Sequence, residues 1–172
     1  MIARLAALPL AALPGLFPAV ANAETRELGA HEHGHVALQI AVEGDAVEMI
    51  LEAPGADIVG FEHAPETDGQ TAEVEAALET LSDPMALFVL PDAAGCTVEA
   101  AEVELHQEGD HNAFEAEYTL RCADAAAVTE VGTKLFDLYP SIEEIEVEYA
   151  TPAGQGAGEL EPDDAVLSLP TS

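Results

Sequence analysis

The chain has 172 residues, with 34 acidic against four basic, a formal net charge of −30, and 49% hydrophobic residues. That balance suits one folded domain with a real core. It excludes nucleic acid and anionic lipid as electrostatic partners, since so negative a surface repels both and attracts cations instead.

Residues 1–23 read as a secretory signal peptide. Arg4 supplies the positive start, and Leu5 to Val20 is apolar but broken by Pro9, Pro14 and Pro18. Ala21-Asn22-Ala23 is a small-x-small cleavage site. No later run approaches a membrane span. The expectation is a soluble, periplasmic protein cleaved after Ala23, with a single domain over 24–172.

Three of the six histidines fall in His31-Glu32-His33-Gly34-His35. Imidazole is the commonest transition-metal ligand and is largely neutral at pH 7. Val36-Ala37-Leu38-Gln39-Ile40-Ala41-Val42 then alternates as a strand does. Extended back, that strand puts all three histidines on the face away from the core. Strand residues two apart are about 6.5–7 Å apart. One zinc ion, with Zn–N of about 2.0–2.1 Å, therefore takes His31 with His33, or His33 with His35, but not all three. Gly34 permits a bend that would change this.

Glu43-Gly44-Asp45 turns the chain into a second strand, Ala46 to Ala53, and Pro54-Gly55 ends it. Ala56 to Phe61 is a short, helix-like turn. Glu62-His63-Ala64-Pro65 is a loop, because Pro65 disfavours helix at Ala64. It puts an imidazole beside a carboxylate. Thr67 and Asp68 cap a helix to about Leu81, with Val74, Ala77, Leu78 and Leu81 on one face. Asp83-Pro84 starts another through Phe88, with Met85 as core filler.

Cys96 to His106 and Asn112 to Cys122 form a long hairpin. Pairing His106 with Asn112 sets Cys96 opposite Cys122, because the residue numbers add to the same total. That spacing suits a disulfide, the ordinary state of paired cysteines in an exported chain. Val98, Val103 and Leu105 join Cys96 on the apolar face, and the slip in parity at Ala100-Ala101 marks a β-bulge. The tip carries His106 and His111 with Glu108 and Asp110: a polar turn, or a weak second metal site.

After Asp124, Val128 and Val131 leave helix and strand both open. Lys134 to Tyr139 is helical and stops at Pro140. Glu143 to Tyr149 is a strand with Ile145, Val147 and Tyr149 inward. Its Glu144, Glu146 and Glu148 make a solvated face. Residues 151–158 read as a Gly/Pro loop, and Ala165 to Leu169 as a last strand.

No nucleophile elbow, P-loop, dinucleotide fingerprint or His-Glu-x-x-His is present, which points away from an enzyme. Histidines with carboxylates favour zinc over calcium or magnesium, while copper and nickel use the same ligand types. His31-Glu32-His33-Gly34 before an alternating strand resembles the ZrgA-like zinc uptake family. So do Gly60-Phe61-Glu62-His63-Ala64-Pro65, Asp83-Pro84 with Leu87-Phe88, the Cys96…Cys122 hairpin, and Leu135-Phe136 before Tyr139-Pro140. The resemblance implies a periplasmic protein that binds Zn2+ and supports its import with a zinc ABC importer or its solute-binding protein. Members carry a long His/Asp-rich insert at the hairpin tip, which shrinks here to His106–His111.

The combined expectation is an α+β fold. A mostly antiparallel sheet of about six strands carries two to four short helices on one face. Zinc ligands come from His31, His33, His35 and His63, with Glu62, Glu115 or Glu117 as oxygen ligand or ring orienter, and with His106 and His111 at the tip. The reading from a different class is a non-metal acidic module that binds a basic partner.

Overall fold

A computed structural model describes residues 33–109 and 111–170. The leader over 1–23, its cleavage point, His31 and Asp110 lie outside the described residues.

Strand β1 (His35–Glu43) turns at Gly44 into β2 (Ala46–Pro54). Next come α1 (Gly55–Val59), α2 (Asp68–Leu81), α3 (Pro84–Leu87) and β3 (Phe88–Val89). The long hairpin is β4 (Cys96–Glu108) and β5 (His111–Cys122). The chain ends with β6 (Glu130–Thr133), α4 (Leu135–Leu138), β7 (Glu144–Thr151), β8 (Gly154–Leu160) and β9 (Val166–Ser168). Six strands form one sheet in the order β4-β5-β2-β1-β7-β8, and β3-β6-β9 form a smaller one. In the large sheet every neighbouring pair is antiparallel except β1 with β7, which is parallel. The fold is α+β.

Period-two patterning makes the sheet one-sided. Val36, Leu38 and Ile40, Val47, Met49 and Leu51, Phe114 to Leu120 at even positions, and Ile145 and Val147 are all nearly inaccessible. They share one cluster with Val74, Ala77 and Leu81 of α2, Leu87 of α3 and Leu135 of α4, so the helices cover that face. The Tyr118 hydroxyl, buried in this layer, donates to the Leu81 carbonyl at 2.7 Å and joins sheet to helix. The caps follow their chemistry. Thr67 Oγ1 accepts from the Gln70 N–H, and Asp83 Oδ1 accepts from those of Met85 and Ala86.

Several local expectations change. β1 starts at His35, not at the earlier histidines, because Gly34 turns the chain at φ +84°. Cys96 does face Cys122, and the two are bridged. The bulge, however, lies between Val98 and Ala100, so beyond it His106 faces Ala113 and Asn112 faces Gln107. Val98 is exposed at the bulge, and Met85 is exposed because a one-turn helix buries only Pro84 and Leu87. After Asp124 a single 3-10 turn leads into a strand. Much of the expected Gly/Pro loop is instead β8, paired with β7. Two of its glycines are closely packed: a Cβ on Gly156 would lie 2.5 Å from the Tyr149 hydroxyl, and one on Gly158 2.6 Å from Leu167, so either side chain would have to move.

Cys96 and Cys122 close a loop of sequence separation 26. On the chain-entropy model, reducing the bridge should lower the unfolding free energy by roughly 3–4 kcal/mol. Denaturant titrations with and without reductant measure this.

Candidate metal centre

Two short segments meet at the start of β1. Gly34 donates its N–H to both oxygens of the buried Asp57 in α1, at 2.9 and 3.0 Å. Its carbonyl accepts from the N–H groups of Glu143 and Glu144, at 2.8 and 2.9 Å. Burial pushes the Asp57 carboxyl up; the Gly34 N–H and the nearby His33 pull it down, and the net direction is up. The turn cannot take a side chain easily. Its φ is positive, and a Cβ would come within 3.0 Å of Glu143 Cγ.

The pinned turn sends His33 toward the loop after α1. Its Nε2 donates to Glu62 Oε1 at 2.7 Å, and His111 Nδ1, from the start of β5, donates to Glu62 Oε2 at 2.7 Å. One carboxylate thus gathers two imidazoles from segments far apart in sequence. Burial raises the Glu62 carboxyl, but the hydrogen bonds from His111 and His33 outweigh it and hold it below its ordinary value. Its side chain is 19% exposed, against 69% for His33 and 60% for His111.

His63 follows Glu62 directly. Its Nδ1 donates to the Ala64 carbonyl at 2.7 Å, so in the neutral ring Nε2 carries the lone pair. The ring stacks on Phe61 with centroids 5.2 Å apart. Asn112, buried next to His111, donates through Nδ2 to the His63 carbonyl at 2.7 Å. The same side chain ties this loop to β5. Asn112 Oδ1 lies against Gly55, where a Cβ would sit 1.5 Å away, so only glycine fits there; that oxygen has no partner among the described residues.

The remaining residues named from sequence divide. His35 turns the other way, toward β7, with Nδ1 3.8 Å from Glu144 Oε1. His106 does not join His111. Its Nε2 lies 3.7 Å from a carboxylate oxygen of Glu104 and 3.7 Å from one of Glu115. Glu117 sits opposite Ile50 and Glu102 on the open face of the sheet. Among the described residues it makes no hydrogen bond or ion pair with a histidine. Sequence reasoning missed Glu144 and Glu146, whose donor atoms lie within 4.8 Å of one another and of His35. Read alone, the Glu144-x-Glu146-x-Glu148 row is a solvated strand face. Only the parallel pairing of β1 with β7 brings a histidine to it.

Imidazole and carboxylate are ligand types that suit zinc. His33 and His111 are joined to Glu62 by hydrogen bonds, and among the described residues the group whose donor atoms all lie within 4.8 Å of one another is His35, Glu144 and Glu146. A family model described as ZrgA family zinc uptake protein matches residues 30–169. No curated protein matches the chain. The bridged cysteines suit an oxidising, exported compartment. Among the described residues no helix is long and apolar enough to cross a membrane.

A carboxyl held low in the fold stabilises it above the unfolded value, here 4.5, and that share is lost as pH falls through the lower folded value. Glu62→Gln should therefore lower the melting temperature of the metal-free protein at pH 5–6. The gap from the native protein should close as the pH falls well below 4.5. Melting curves across that range measure it.

Proposed function

Because the chain belongs to the ZrgA family of zinc uptake proteins, we propose that it captures zinc at the Glu62 centre in the periplasm, after export on its leader. The observation that carries this reading is the Glu62 carboxylate, hydrogen-bonded at 2.7 Å to both His33 Nε2 and His111 Nδ1. Zinc would bind the ring nitrogens that face the carboxylate, each neutral ring then carrying its proton on the other nitrogen. Protonation of the rings competes with the metal, so binding weakens in acid. His63, whose Nε2 carries the lone pair, follows Glu62 directly in sequence and is the further nitrogen donor in this reading. Asn112 and Asp57 act through others: the first holds the His63 loop, the second the turn that aims His33.

The dense negative charge raises the local concentration of cations before capture. With the Arg121 guanidinium engaged by Asp45 and Glu99, Lys134 is the other basic side chain among the described residues, which gives little support to anion chemistry there. We assign the chain a binding role, not a catalytic one. Its place in uptake is as an accessory that passes zinc to an ABC-type importer or to that importer's solute-binding protein. Cells lacking the chain should then accumulate less zinc only when zinc is scarce.

Titration of the purified protein with zinc against a competing chelator tests the centre. His33→Ala, His111→Ala and Glu62→Gln should each weaken binding by at least about tenfold, since even outer partners of metal-bound histidines contribute 10–100-fold. Zinc at 100 times its dissociation constant should stabilise the native protein by about 2.7 kcal/mol. Unchanged affinity in all three variants would remove the centre. A melting temperature that zinc leaves unmoved would favour an acidic module for a basic partner.

A further inference from the structure

We infer that His35, Glu144 and Glu146 form a second divalent-cation site, weaker than the Glu62 centre and on the opposite side of β1. It shares with the zinc-capture reading the identity of the cation and the Gly34 turn; its ligand residues are its own.

The site is built by strand register. In the parallel pair, His35 lies opposite Glu144 and Ala37 opposite Glu146. Glu144 and Glu146, two apart, point to the same face as His35. The level of the two strands is set by the Gly34 carbonyl, which accepts from the backbone N–H groups of Glu143 and Glu144. The imidazole and both carboxylates place donor atoms within 4.8 Å of one another.

The spacing is that of two ligands and not of a hydrogen-bonded pair. His35 Nδ1 and Glu144 Oε1 are 3.8 Å apart, beyond hydrogen-bond reach. Two ligands on a tetrahedral zinc, each bonded at about 2.0–2.1 Å, are about 3.3 Å apart, a short rotamer adjustment away. The contrast with Glu62, closed onto its histidines at 2.7 Å, is direct. Both side chains are also partly withdrawn from solvent, 39% exposed for His35 and 25% for Glu144, which restrains their rotamers and reduces screening.

The donor set fixes the ligand class. One imidazole nitrogen with carboxylate oxygens selects a borderline divalent ion such as zinc over a hard cation that prefers oxygen alone. Three protein ligands leave a position for water, so the ion exchanges readily. The other glutamates of this open face, such as Glu148 and Glu159, stand opposite Gln39 and Glu146 and not opposite an imidazole. His106 also stands 3.7 Å from carboxylate oxygens of Glu104 and Glu115. What distinguishes the His35 corner is that, among the described residues, its imidazole and two carboxylates place donor atoms all within 4.8 Å of one another.

The test is a zinc titration of the purified protein with competing chelators of two affinities, while imidazole signals are followed by NMR. The native protein should take up two equivalents, the weaker one moving the His35 signals. Glu144→Gln with Glu146→Gln should bind one equivalent and leave those signals still, and His35→Gln should lose the same equivalent. Metal-free melting curves establish that these variants are folded. His33→Ala with Glu62→Gln should keep the weaker equivalent and lose the tighter. A second equivalent bound with unchanged affinity by the paired Gln variant overturns the site, as do His35 signals that never respond. A single equivalent lost only with His33 and Glu62 also overturns it and leaves the Glu62 centre standing. A single equivalent lost only with Glu144 and Glu146 supports it and overturns the Glu62 centre.

Discussion

Gly34 is held from both sides, its N–H between the two oxygens of Asp57 and its carbonyl against the N–H groups of Glu143 and Glu144. Everything proposed for this molecule passes through that turn. The residue before it reaches Glu62, and the residue after it faces Glu144. A left-handed glycine is a low-cost way to send His33 and His35 apart, since a straight strand would place these residues, two positions apart, on the same face. The buried Asp57 carboxylate is the anchor. Without its two hydrogen bonds, a buried backbone donor would be left unpaired, at a cost of about 1–3 kcal/mol.

Charge sets the second constraint. On the open face, Glu104 lies opposite Glu115, and Glu115 opposite Glu52; beyond Ala37 of β1, Glu146 lies opposite Glu159. Like charges directly across a ladder are destabilising. The buried face compensates, since one apolar cluster runs from β4 to β8 and takes in the helices and the small sheet. The same repulsion that opposes folding gives the surface its attraction for cations. It also explains why histidine is informative here: among so many carboxylates, an imidazole is the scarce donor that separates a site from background acidity.

Much of the scaffold was legible one segment at a time. Alternation marked β1, β2, β5 and β7; the Thr67 and Asp83 caps placed α2 and α3; and the two cysteines gave the start of the long hairpin. The errors share a cause. The bulge between Val98 and Ala100 shifted the register at the tip, so His106 and His111 parted, one toward Glu104 and Glu115 and the other toward Glu62. β8 read as loop because glycine carries no strand signal. Gly156 and Gly158 pack against Tyr149 and Leu167, neighbours known only after folding. Met85 read as core because helical periodicity says little about a helix of one turn.

By itself the sequence determined which residues alternate, which cap, which cysteines pair, and that histidine and carboxylate recur at the start of β1, in the loop after α1 and at the hairpin tip. These are properties of neighbouring residues, carried by backbone sterics and by periods of two and 3.6. Tertiary structure alone decided that Glu62 lies between His33 and His111, 29 and 49 residues away. It alone decided that β7 lies parallel to β1, with Glu144 beside His35. Such pairings depend on how a whole apolar face is buried and on which strand fills each place in the sheet, a competition among distant segments that no local pattern records.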